Sequence, residues 1–84
     1  MELKDTIPFM TSDDWKERLL GEYLQVIIRL KGLQTYLITA EENYKKNMLI
    51  QQAEYMRFYA QTLKTRLIIE DVNFLEYQRK VMHE

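Results

Sequence analysis

Trp15, Leu19, Tyr23, Val26, Leu30, Leu33 and Leu37 step along the chain by four, four, three, four, three and four residues. That spacing returns to one face of an α-helix for about six turns. A strand cannot use it, because side chains in a strand alternate every two residues. The pattern predicts a helix over residues 14–39. Thr11, Ser12, Asp13 and Asp14 form a start cluster before it. Asp14 and Glu17 have the spacing of a capping box, with Asp in place of Ser or Thr. Gly21 and Gly32 fall inside this helix, where each costs about 1 kcal/mol relative to alanine. A close approach of another backbone at these positions accounts for that cost.

The second half of the chain repeats the helical pattern. Ala40–Asn47 is polar and reads as the break, with Asn47 as the N-cap of the next helix. That helix carries Leu49, Ala53, Met56, Tyr59 or Ala60, Leu63 and Leu67, and runs to Glu70. Asp71, Val72 and Asn73 form a weak breaker. Phe74, Tyr77, Gln78 and Val81 then make a short third helical stretch or continue the second helix. Residues 1–12 read as an irregular arm, because Pro8 disfavours helical backbone at Ile7. Ile7, Phe9 and Met10 give that arm an apolar side with which to dock. The expected fold is all-α: an irregular arm over 1–12, then a helical hairpin domain over 13–84. The two long helices run antiparallel, followed by a short C-terminal helical segment.

Such a hairpin is short of material for a core. The chain has 84 residues and no Cys. A domain of that size buries only about 60% of the surface its unfolded chain exposes. Yet apolar side chains are in surplus. Leu20, Leu24, Ile27 and Ile28 extend the first helix's apolar surface beyond half its circumference. On the second helix Tyr55, Phe58 and Ile69 lie off the main stripe on one side, and Ile50 and Ile68 on another. One hairpin buries one stripe per helix, so the remainder predicts self-association into a helical homo-oligomer.

Catalysis has little support. The single His, His83, stands next to the C-terminus. Asp13–Asp14 and Glu41–Glu42 are adjacent pairs, and neighbours in sequence do not face each other on a helix. No cluster has metal-ligand spacing, and no Gly-rich phosphate loop is present. No cofactor is expected. Twelve basic against thirteen acidic residues leave a net charge of −1, without the basic excess that DNA or RNA binding needs. No apolar run reaches the ~18–20 residues of a membrane span, and the first residues do not read as a signal peptide. A cytoplasmic protein is expected.

What remains is a binding surface. Residues 15–39 carry four cations and two anions, residues 40–70 five and four, and residues 1–14 one and four. The hairpin is therefore mildly cationic and the arm acidic. Arg18, Gln25, Arg29 and Tyr36 fall within about 40° of one another on the first helix, with Glu22 beside them. Lys45 and Lys46 follow in the break, and Arg57, Lys64 and Arg66 on the second helix. Cations with many tyrosines suit a small anionic, aromatic ligand, since Arg and Lys hold phosphate and Tyr stacks on bases. The plainer reading is a solvated charged face with tyrosines at helix contacts. Tyr23 belongs to the main stripe and is a core or interface residue unless it lies at the edge of a contact. Gln52, polar among apolar neighbours, suggests a buried hydrogen bond or a site between chains.

Trp15-Lys16-x-Arg18-Leu19-x-x-Glu22-Tyr23-x-Gln25 resembles the opening helix of small phage proteins first named from a crAss-like phage. Leu49-x-x-Gln52-x-x-x-Met56-x-x-Tyr59-x-x-x-Leu63-x-x-Arg66-x-x-x-Glu70 is similar to their second helix. The resemblance covers residues 15–70 and extends to the hairpin domain of phage anti-defence sponges, of the anti-CBASS and Thoeris anti-defence branches. It implies a homo-oligomer, often a hexamer, in the cytoplasm of an infected bacterial cell. Such an oligomer sequesters a cyclic nucleotide or cyclic ADP-ribose-type signal without cleaving it. The anti-CBASS branch has an Arg-Leu-x-x-x-Tyr stretch whose Tyr stacks on the base, and Arg18-Leu19-x-x-x-Tyr23 matches it. The Lys that follows fifteen residues later in that branch is Ile38 here. Phosphate neutralisation then falls to Arg18, Arg29 or Lys45, or the ligand differs. The competing expectation is a helical protein–protein interaction module without a nucleotide ligand.

Overall fold

The computed structural model describes residues 1–73 and Leu75. Among them there is no strand. A 3-10 turn, Leu3–Thr6, leads into the short helix α1, Ile7–Met10. Two long helices follow, α2 over Trp15–Thr39 and α3 over Tyr44–Ile69. They pack side by side along their length, joined by four residues. The expected third helical stretch over 74–81 and His83 fall, Leu75 apart, outside the described residues.

Local chemistry sets the helix ends. Asp14 caps α2 by accepting a hydrogen bond from the backbone N–H of Lys16 at 2.9 Å. Asn43, not Asn47, caps α3: its Oδ1 accepts from the N–H of Lys46 at 3.0 Å. The polar stretch 44–47 is helical because nothing in it breaks a helix. Lys46 also reaches back to Glu42, Nζ to Oε1, at 2.7 Å. At the far end α3 closes in a Schellman motif. The N–H of Val72 donates to the carbonyl of Leu67 at 3.0 Å, and that of Asp71 to Ile68 at 3.1 Å. Asp71 takes the left-handed conformation, φ 55°, that this motif requires. Val72 is thereby turned onto the core.

The N-terminal segment corrects the sequence reading. It is helical rather than irregular, and Ile7 is in the right-handed α region despite preceding Pro8. Pro8 sits in the first turn of α1, where its missing N–H is no loss. Burial supplies the reason. Phe9 and Thr6 are fully buried, and burying a Phe contributes roughly 1.5–3 kcal/mol. The Thr6 hydroxyl donates to the carbonyl of Leu3 at 2.7 Å and accepts from Nε2 of Gln25 at 3.3 Å. Gly21 makes the docking possible, since a Cβ there would lie 2.9 Å from Phe9 Cβ and from Met10 Sδ. The expected close approach thus exists at Gly21. At Gly32 it does not, as nothing stands within 4 Å of that position.

Phe9, Leu19, Leu20, Leu24, Leu63 and Leu67 form one core cluster. It lies at the end of the hairpin that the N-terminal segment covers. Trp15, expected in the buried stripe, is 47% exposed. It lies one turn before Leu19, and α3 stops at Ile69. Toward the loop the seam thins, and from Lys31 to Tyr59 no residue is fully buried. The molecule measures 43 × 26 × 18 Å, with a radius of gyration of 14.7 Å. A compact chain of this length has a radius near ~12 Å. Of the apolar surplus of α2, Leu20 and Leu24 are buried within the chain, while Ile27 and Ile28 are half-buried. The surplus of α3 is not buried: Tyr55, Phe58, Ile68 and Ile69 are all more than 60% exposed.

Candidate functional site

The two flanks of the α2–α3 seam differ. On one flank a cavity of about 580 Å³ opens beside the core. Its walls are apolar, from Leu24, Ile27 and Ile28 of α2, Leu67 and Ile68 of α3, Val72 behind the Schellman turn, and Met1. Three other side chains complete it: Tyr23 and Lys31 from α2, and Lys64 from α3. An adjoining cavity of about 240 Å³ shares Tyr23, Ile27 and Lys64 and adds Arg57 and Gln61. Together they form a trough along the flank, with Tyr23 and Lys64 where the two cavities meet.

Helix geometry explains the set. Tyr23, Ile27 and Lys31 are spaced by four residues, so they rise along one strip of α2. Tyr23 is half-buried and packs on the core cluster, which fixes the base of its ring. Lys31 and Lys64 are exposed, and neither has an acidic partner within ion-pair distance among the described residues. Arg57 stands 3.8 Å from Glu54, a loose pair. The trough is therefore an apolar recess with one aromatic ring and two unneutralised ammonium groups. It suits a ligand with a planar ring and at least two negative charges.

The candidates read from the sequence do not all meet. Tyr23 lines the trough. Arg18 lies about 140° around α2 from Tyr23, and its Nη1 donates to the carbonyl of Ser12 at 2.7 Å. It braces the turn into α2. Arg29 is exposed on the opposite flank, in a separate groove with Gln52 and Tyr59. Lys45 is exposed in the first turn of α3, at the loop end, about 24 Å along the hairpin from Tyr23. Gln52 is exposed rather than buried. The cations that share the trough with Tyr23 are Lys31, Lys64 and, in the smaller cavity, Arg57. Lys31 was legible in principle, since the steps from Tyr23 through Ile27 to Lys31 mark one strip of the helix. Lys64 depends on the register of the two helices, which spacing alone does not supply.

Among the described residues, no group of His, Asp or Glu is placed to hold a metal ion, and no helix is long and apolar enough to cross a membrane. The family model described as Sequestin matches residues 13–69, which take in both long helices and their loop and leave out the N-terminal segment. No curated protein and no solved structure gives a significant match.

Proposed function

The chain belongs to the Sequestin family, and from that premise we propose that it is a non-enzymatic sponge for a small anionic signalling molecule. The ligand class is a cyclic nucleotide or cyclic ADP-ribose-type signal of a bacterial defence system, held without cleavage. The observation that carries this reading is that Tyr23, Lys31 and Lys64 line one trough, with Tyr23 and Lys64 common to both of its cavities. The ring of Tyr23 stacks on a base, which is worth about 1–3 kcal/mol. Lys31 and Lys64 neutralise phosphate, the role that the Lys replaced by Ile38 fills in the branch this chain resembles. The apolar walls take the rest of the base and exclude water. A cavity of 580 Å³ is within the range of small-molecule sites, about 300–1,000 Å³.

A sponge works by mass action. It lowers the free signal in proportion to its own concentration and affinity, so turnover adds nothing. In this reading the protein acts for a phage in the cytoplasm of an infected bacterium. The exposed stripe of Tyr55, Phe58 and Ile69 on α3 is the contact through which copies assemble into a homo-oligomer, a hexamer by the resemblance. That same stripe favours the second reading, a helical interaction module with no nucleotide ligand.

Titration calorimetry with cyclic dinucleotides, cyclic trinucleotides and cyclic ADP-ribose isomers tests the proposal. Binding of one class, with the ligand recovered intact after heating the complex, is the expected result. Loss of that binding in Tyr23→Ala with the oligomer retained supports the trough. No heat with any compound, and capture of a host protein through the α3 stripe, supports the interaction module.

A further inference from the structure

The opposite flank of the seam carries its own recess, a groove of about 470 Å³ lined by Val26, Arg29, Leu33, Gln52, Met56 and Tyr59. None of these six residues lines the Tyr23 trough. We propose that this groove is a second, independent small-molecule site, for a planar aromatic ring bearing a single anionic group.

The argument is one of chemistry and placement. Val26, Leu33 and Met56 are half-buried and make an apolar floor. Three polar side chains complete the lining. Arg29 is exposed, with no acidic partner within ion-pair distance among the described residues. Its guanidinium therefore offers a planar fork for one carboxylate or phosphate. The amide of Gln52 makes only a 3.9 Å contact from Nε2 to the Met56 thioether, a weak acceptor. It keeps donor and acceptor capacity for ring heteroatoms. Tyr59 is 45% exposed and closes the side of the groove with a ring that can stack. A few convergent polar groups over an apolar floor are the ordinary make-up of a small-molecule site. The two flanks also differ in charge. The trough presents two ammonium groups and the loosely paired Arg57, the groove one guanidinium, so the groove favours a ligand with one negative charge. The groove falls within the matched residues 13–69, and its claim does not rest on the trough.

The test uses the full chain, isotope-labelled, with 2-naphthoate as the probe and neutral 2-naphthalenemethanol as its uncharged counterpart. The side-chain amide of Gln52 and the Nε–H of Arg29 should shift saturably with 2-naphthoate. The alcohol should bind about tenfold more weakly, the scale of one charge-assisted contact. Arg29→Gln should bring the acid down to the level of the alcohol, and Gln52→Leu should weaken it independently. Lys64→Gln should leave these shifts within about twofold, because charge that far around the seam is screened. Shifts confined to Tyr23 and Lys64, or an Arg29→Gln variant that binds as before, would overturn the proposal. So would a change in oligomeric state on Arg29→Gln without a change in binding, which would make the groove a contact between copies. Shifts at Gln52 without any at Tyr23 are the expected result, and failure of the trough reading is read separately, in the titration with cyclic nucleotides and cyclic ADP-ribose isomers.

Discussion

Gly21 and Phe9 approach so closely that a Cβ added to Gly21 would stand 2.9 Å from the Cβ of Phe9. This contact seats the N-terminal segment on α2. Gly21→Ala forces a shift of Phe9 and Met10, an overpacking cost of about 1–3 kcal/mol. The gain in helix propensity, about 1 kcal/mol, offsets part of it. A net loss of up to about 2 kcal/mol in urea unfolding is expected. Gly32→Ala meets open space and should stabilise by about 0.5–1 kcal/mol. Equal effects at the two glycines would contradict this account of the docking.

Thr6 and Phe9 hold the segment down by their burial. Phe9→Ala leaves a cavity among Leu19, Leu20 and Leu24 and should cost about 3 kcal/mol or more. Thr6→Val keeps the shape and removes the hydroxyl that joins Leu3 to Gln25. It should cost about 1–2 kcal/mol. Thermal unfolding followed by circular dichroism reads both, and the Phe9 variant should melt at the lower temperature.

The Schellman turn offers a gain. Asp71 holds φ 55°, a conformation that favours glycine. Asp71→Gly should raise stability by up to about 1 kcal/mol, since the relief of backbone strain exceeds the added freedom of the unfolded chain. A loss of stability would mean that the Asp71 side chain contributes more than its backbone costs.

The helices were legible in the sequence because periodicity and local caps determine them. The stripe from Leu19 to Leu37 falls on α2, and Leu63 and Leu67 fall in its partner's core. What escaped depends on contacts between distant segments. The helical form of Ile7–Met10 rests on Phe9 reaching Gly21, against the preference of a residue before proline. The cap at Asn43 competes with an equally good candidate at Asn47, and spacing does not choose between them. For the candidate site, the resemblance pointed to Tyr23, which lies in the wall of the trough. Lys31 shares its strip of α2 and follows from spacing, whereas Lys64 meets it only through the register of α3 against α2.

Self-association has its own test. Phe58 and Tyr55 are exposed on the outer face of α3. If the proposed self-association runs through this face, Phe58→Glu should sediment as a smaller species than the unsubstituted chain in analytical ultracentrifugation while leaving helix content unchanged. An unaltered sedimentation coefficient would contradict a contact at this face, and a monomeric unsubstituted chain would contradict self-association altogether.

The trough should respond to charge. Lys31→Gln and Lys64→Gln should each weaken a bound cyclic nucleotide or cyclic ADP-ribose-type ligand by about tenfold at low salt, and less as salt rises. Arg18→Gln should affect stability through Ser12 and leave affinity unchanged. Lys45→Gln should leave both unchanged.

The most direct measurement is mass spectrometry of small molecules released by heat from the purified protein after exposure to the signal panel, for wild type and Tyr23→Ala side by side. The account predicts an intact cyclic nucleotide or cyclic ADP-ribose-type molecule from the wild type and its loss from Tyr23→Ala at unchanged oligomeric state. Release of nothing from either protein, release of a cleaved product, or equal loading of both would contradict it.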